Sequence, residues 1–130
     1  MTENFKLEII SPDRTVIKTE TTEVIIPSYE GQRGILKDHI PLVTFLRPGI
    51  INIKTTLREE NFFIEDGIVE FSNNLLLILS STVRNVKEIS NNHIETMISE
   101  INEKNKDQKI NDKERYMLSY KLETLQNISQ

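Results

Sequence analysis

Of the side chains that most often do chemistry, this 130-residue chain has no Cys and two His, and the spacing of the rest limits what they can do. Cys is absent, which excludes a thiolate nucleophile, a thiolate metal site and a disulfide framework. The two His, His39 and His93, are too few for a His-based metal centre. Asp38-His39 invites a catalytic reading, in which a carboxylate orients an imidazole. Adjacent residues rarely face one another in that geometry, and no Ser or third group stands at a diagnostic spacing. His39 therefore reads as a loop or interface histidine, and His93, on or beside an apolar helical stripe, as a packing histidine. The acidic pairs Glu59-Glu60 and Glu65-Asp66 flank a predicted strand and read as a solvated face. Glu30-Gly31-Gln32-Arg33-Gly34 has too few glycines, wrongly spaced, for a Walker or dinucleotide loop. Its glycines suit a tight bend between strands at positive φ. No catalytic residue, metal or cofactor is expected.

The elements that must position these residues differ along the chain. All four Pro and all four Gly lie between residues 12 and 67, and residues 86–130 contain neither. The boundary is placed near Asn85, giving a first domain over 1–85 and a second over 86–130. In the first, Phe5, Leu7 and Ile9 alternate with Lys6 and Glu8, Thr22, Val24 and Ile26 with Glu23 and Ile25, and Ile51 and Ile53 with Asn52 and Lys54. Pro27 to Gly31 reads as a loop. Asp66-Gly67 between Phe63-Ile64 and Ile68-Val69 is a hairpin signal, and Leu75 to Ser80 suits a strand buried on both faces. Many short strands at close spacing predict an antiparallel β-sandwich or barrel.

The second domain reads as two helices. Val86, Ile89, His93, Met97 and Ile101 keep helical spacing. After a polar stretch, Asn111 with Glu114 outlines a capping box, and Leu118, Leu122 and Leu125 mark one face of the second helix. Tyr116 and Tyr120 lie on its opposite side, at ~100° per residue. They either meet something beyond the hairpin or lie over the first helix. Ala, the best helix former, is absent, while Ile reaches 19 and Leu 12. Net charge is −4, with −3 over 1–85 and −1 over 86–130, which argues against a nucleic-acid footprint. The longest uncharged apolar run, Leu75 to Leu79, is far short of the roughly 20 residues that span a bilayer. With no secretion signal visible, the chain reads as cytosolic, touching a membrane only through a partner.

One long phrase goes further. Ile26-Pro-Ser-Tyr-Glu30-Gly31-Gln-Arg-Gly34-Ile35-Leu36-Lys-Asp-His39-Ile-Pro41-Leu-Val-Thr-Phe-Leu46-Arg-Pro-Gly49 resembles the signature of the epsilon subunit of rotary ATP synthases. Leu7 to Pro12, Phe63 to Gly67 and Asn73 to Leu79 resemble that family's first strand and late hairpin. The resemblance covers residues 5–80 well and 86–130 in layout. It implies a flattened β-sandwich followed by an antiparallel helical hairpin, in a non-catalytic subunit of the central stalk. The sandwich would bind the gamma subunit with one side and the c-ring with one end, passing torque from proton flow to the catalytic head. The ring contacts it implies are Glu30, Gly31, Gln32, Arg33 and His39.

In many members the hairpin extends along gamma and blocks ATP hydrolysis. Lys113, Arg115 and Lys121 would then meet an acidic loop of the alpha/beta head. Members that bind ATP do so through Ile-Asp-x-x-Arg-Ala, and the counterpart here has Ser90 for the acid and His93 for the Arg, so ATP binding is not expected. The setting implied is the cytoplasmic face of a bacterial inner membrane, ahead of a plastid thylakoid. The rival reading is a free-standing β-sandwich binding module with a helical dimerisation arm. Epsilon hairpins are usually rich in Ala, so Ser99, Ser119 and bulky aliphatic residues are expected to fill the helix contact here, giving a thicker, less stable hairpin.

Overall fold

Alternation of apolar and polar residues produces strands, and a computed structural model, describing residues 3–128, contains ten of them. They are β1 (Phe5–Ser11), β2 (Arg14–Thr21), β3 (Glu23–Ser28), β4 (Gly31–Ile35), β5 (Leu42–Leu46), β6 (Gly49–Lys54), β7 (Glu59–Ile64), β8 (Gly67–Ser72), β9 (Leu75–Leu79) and β10 (Arg84–Asn85). A single helical turn, Val86–Glu88, leads to α1 (Asn91–Asn105) and α2 (Asp112–Ile128). The hydrogen-bonded order is β10-β7-β6-β3-β5-β8-β9-β1-β2, with β4 added on β3. Neighbours are antiparallel except β1 and β9, which run parallel. Near the middle the path passes from β3 to β5 through the single pair Ser28 and Leu46, and there it folds over into two facing layers.

Between the layers lies one core. Leu7, Ile9, Val24, Ile26, Ile51, Ile53, Phe62, Ile64, Val69, Phe71, Leu76 and Ile78 point inward and are buried. The predicted sandwich, followed by two helices, is the fold observed. Several details differ from the sequence expectation. Asp66-Gly67 does not close a hairpin: β7 pairs with β6 and β10, whereas β8 pairs with β5 and β9. The chain crosses between layers there, because the backbone is held elsewhere. Thr82 Oγ1 accepts from Glu65 N at 3.0 Å, and Ser80 Oγ donates to Asp66 O at 2.6 Å. A Cβ on Gly67 would stand 2.9 Å from the Leu79 carbonyl oxygen, so this glycine serves close approach. The two-residue turn that follows β8 is Asn73-Asn74, with φ of 51° and 58°, joining it to β9.

β9 buries one face only: Leu76 and Ile78 point inward, Leu75 and Leu77 are half-buried and Leu79 is exposed. The expected loop from Pro27 to Gly31 shrinks to Tyr29-Glu30, since Ser28 pairs with Gly31. Strands β2, β4 and β5 are not marked by the alternation used above; in β2 only Thr21 is buried.

The hairpin has its own core. Ile94, Met97 and Ile101 of α1 and Leu125 of α2 close over Phe63 of β7, with Ile50, Leu118 and Leu122 at the margins. α1 starts at Asn91 rather than at Val86, because Ser90 caps it, accepting from His93 N at 3.1 Å. Asn111 Oδ1 accepts from Glu114 N at 2.8 Å, the predicted cap of α2. Ser99 and Ser119 face solvent, so the helix contact is filled by Ile, Met and Leu without them.

Candidate functional site

One outer face of the sandwich is unusually apolar. Register aligns Phe45 of β5 with Ile68 of β8, Ile68 with Leu79 of β9, and Leu79 with Ile10 of β1. Phe45 is 57% exposed, and Ile68 and Leu79 are each 43% exposed. Four residues across adjacent strands make a stripe roughly 15 Å long at the usual strand spacing. The next row mixes Val43, Glu70, Leu77 and Glu8, with Glu8 paired to Lys18 at 3.5 Å. An apolar stripe bordered by charge is the pattern of a docking surface.

The polar residues singled out from the sequence do not form one patch. Glu30 and Gly31 sit at the β3–β4 turn, where Gly31 has φ of 120°. Glu30 Oε2 and Arg33 Nη2 pair with each other at 3.0 Å, and Gln32 is exposed beside them. Their charges largely cancel, so this turn offers hydrogen bonds more than net charge. His39 lies at the other end of β4, in the loop leading to β5. It is half-buried, its ring centre 5.9 Å from that of Phe71 in an edge-on arrangement, its backbone N–H donating to Leu36 O at 3.1 Å. Asp38 does not orient it, since the Asp38 carboxylate accepts instead from Asn74 Nδ2 at 2.9 Å.

On the other outer face, two polar contacts clamp α2 to the sandwich. The Arg47 guanidinium stacks 3.9 Å from the centre of the Tyr120 ring, and Lys121 Nζ lies 2.6 Å from Glu65 Oε1. Lys121 is only 15% exposed, so it faces the sandwich and not solvent. Tyr116 donates to Tyr120 at 3.2 Å, and that bond, with some desolvation, pushes the Tyr116 phenol above its ordinary pKa. The tyrosine face therefore meets the end of β5, not α1. Arg115 donates to the Asn105 and Asp107 carbonyls between the helices, at 3.3 and 3.5 Å. Lys113 is exposed at the mouth of a groove of about 470 Å³ that also holds Glu65 and Lys121. Lys113 and Lys121 thus share one groove in this docked arrangement, while Arg115 is turned to the carbonyls between the helices. Sequence reasoning missed Arg47 and read Glu65 as part of a solvated face, because the role of each depends on which helix face reaches it.

No helix among the described residues is long and apolar enough to cross a membrane, and no cluster of metal ligands occurs among them. Comparison with known proteins gives these features a context. Residues 4–86 match the family model described as ATP synthase, Delta/Epsilon chain, beta-sandwich domain. An ATP synthase epsilon chain of Pelagibacter ubique is 41% identical over 130 residues, 99% of this chain and 100% of that one. The chain belongs to the ATP synthase epsilon-chain family. The fold recurs in solved structures of mitochondrial ATP synthases. A chain in the OSCP/F1/c-ring structure from Euglena gracilis aligns with a TM-score of 0.76 at 19% identity, covering 97% of this chain and 79% of that one. Another, in the central stalk/c-ring structure from Tetrahymena thermophila, has a TM-score of 0.70 at 12% identity, with 100% of both chains covered.

Within this epsilon-family chain, the positions that resemblance links to ATP are occupied by local structure. Ser90 caps α1, and His93 Nε2 lies 2.6 Å from Arg84 Nη1. Both line a cavity of about 730 Å³ between β2, β7 and α1, where Arg58 is paired with Glu60 at 3.6 Å.

Proposed function

We propose that this chain is the non-catalytic central-stalk subunit of a proton-translocating ATP synthase, placed at the cytoplasmic face of a bacterial inner membrane. The sandwich, residues 1–85, transmits torque, and the hairpin, residues 86–130, regulates. The observation that carries the reading is the stripe of exposed Phe45, Ile68 and Leu79, continued by half-buried Ile10, on a member of the epsilon family. A subunit working alone would gain nothing from it, whereas gamma binding would bury it. A close-packed core behind the stripe deforms little under load. The β3–β4 turn, with Glu30, Gly31, Gln32 and Arg33, supplies polar contacts to the c-ring. His39, at the opposite end of β4, belongs with the gamma-facing loop. Lys113, Arg115 and Lys121 become contacts to the catalytic head once the hairpin leaves the sandwich.

Replacing Phe45 and Ile68 together by Asp tests the reading, because both already face solvent and their loss should leave the fold intact. Co-purification with the gamma subunit from native membranes should fall at least tenfold, about 1.4 kcal/mol. Unchanged recovery of gamma, or a stable homodimer with no such partner, would refute it.

A further inference from the structure

The loop from Leu36 to Pro41 is held by a contact that local sequence does not explain. Asp38, exposed, and Asn74, half-buried, are 36 residues apart, yet they bond reciprocally. Asp38 N donates to Asn74 Oδ1 at 2.7 Å, and Asn74 Nδ2 donates to Asp38 Oδ1 at 2.9 Å. Both residues occupy the left-handed region, with φ of 65° and 58°. Asp and Asn tolerate that region better than other residues with a side chain. The β8–β9 turn does not need this pair, because Asn73-Asn74 already suits a two-residue hairpin. The benefit therefore falls on the loop.

Little else fixes it. Its other holds are the His39 N to Leu36 O bond, the 2.7 Å contact of His39 Nδ1 with Ile40 O, and the edge-on packing of His39 against Phe71. It displays Leu36 at 54% and Ile40 at 72% exposure, then runs directly into β5, which carries Val43 and Phe45 of the apolar face. We infer that Asp38 and Asn74 are a positioning pair that preorganises residues 36–41 as the end of the gamma-docking surface. This rests on the docking reading above and adds to it a named device. A loop ordered beforehand loses less conformational entropy on binding.

The test uses the full chain and the purified gamma subunit. Asn74→Gly keeps the left-handed turn and removes the amide, while Asp38→Asn keeps both the acceptor oxygen and the N–H. Asn74→Gly should speed hydrogen exchange at the Asp38 amide and weaken gamma binding, each about tenfold, with Tm lowered by no more than about 4 °C. Asp38→Asn should behave as the unmodified chain. Exchange unchanged in Asn74→Gly, or exchange raised with gamma binding intact, would overturn the inference. Ile40→Asp separates the two levels. If it spares gamma binding, the loop does not dock and the inference fails, while the reading carried by Phe45 and Ile68 stands on its own test. If it weakens binding while Asn74→Gly does not, only the positioning role falls.

Discussion

Tyr116, Tyr120 and Arg47 show how much one residue's environment decides. The Tyr116 hydroxyl donates to Tyr120, which stabilises its protonated form and raises its pKa, while Arg47 opposes the rise. With the folded value above the unfolded one, this contact supports the fold at neutral pH and is lost as pH rises through the raised value. Titration followed by tyrosine absorbance should show one phenol above the ordinary range, disappearing in Tyr116→Phe. Tyr120→Phe removes the acceptor and should bring that phenol down, whereas Arg47→Ala should send it further up. Legibility at this scale was uneven, for a physical reason. Gly31 takes the expected positive φ, but Gly34 sits inside β4 opposite Ile25 without one. Composition cannot distinguish a glycine needed for its backbone from one that faces open solvent. Likewise the tyrosine pair was visible as a second face of α2, but Arg47 as its partner follows from tertiary placement alone.

Among the elements, the strands with an inward apolar row were legible and those whose apolar residues face outward were not. β5 is the case in point: Val43 and Phe45 are exposed while Leu46 is buried, so its apolar residues do not mark the inward face. Asp66-Gly67 misled because a good turn dipeptide also suits a crossover between layers. The hairpin is the element whose stability can be most directly probed. Leu125 is fully buried among Phe63, Met97 and Ile101, so Leu125→Ala should destabilise the hairpin by about 2–5 kcal/mol. Sandwich exchange rates should change less, since its core is a separate cluster. The two clamps act at the surface side of that core. Glu65→Gln leaves Lys121, only 15% exposed, without its charge partner and should loosen α2 by about 1–3 kcal/mol. Amide exchange throughout 112–128 would report it, and an unchanged rate would show that Lys121 finds another partner. With no Ala in either helix, the hairpin should exchange faster than the sandwich even in the unmodified chain.

For the whole molecule, docking and release of the hairpin are tied to what lies beneath it. Phe63 is inaccessible to solvent because α1 and α2 cover it, and Ile50 packs at the same site. If the hairpin leaves, Phe63 is exposed at about 1.5–3 kcal/mol, and the apolar faces of both helices lose their partner as well. Release therefore needs a compensating surface, which under the proposed function the assembled stalk and head would provide and the isolated chain would not. The isolated chain should keep its hairpin docked, while assembly should shift the population toward extension by differential binding. A decisive comparison uses complexes assembled with the full chain or with residues 1–85 carrying Phe63→Thr, a change that removes the patch truncation would expose. Both should retain gamma, because the stripe at Phe45 and Ile68 lies on the opposite face. If the hairpin inhibits, the truncated complex should hydrolyse ATP several-fold faster at low proton-motive force. Equal turnover with gamma retained would restrict residues 86–130 to a structural role, leaving the torque-transmitting role of the sandwich intact.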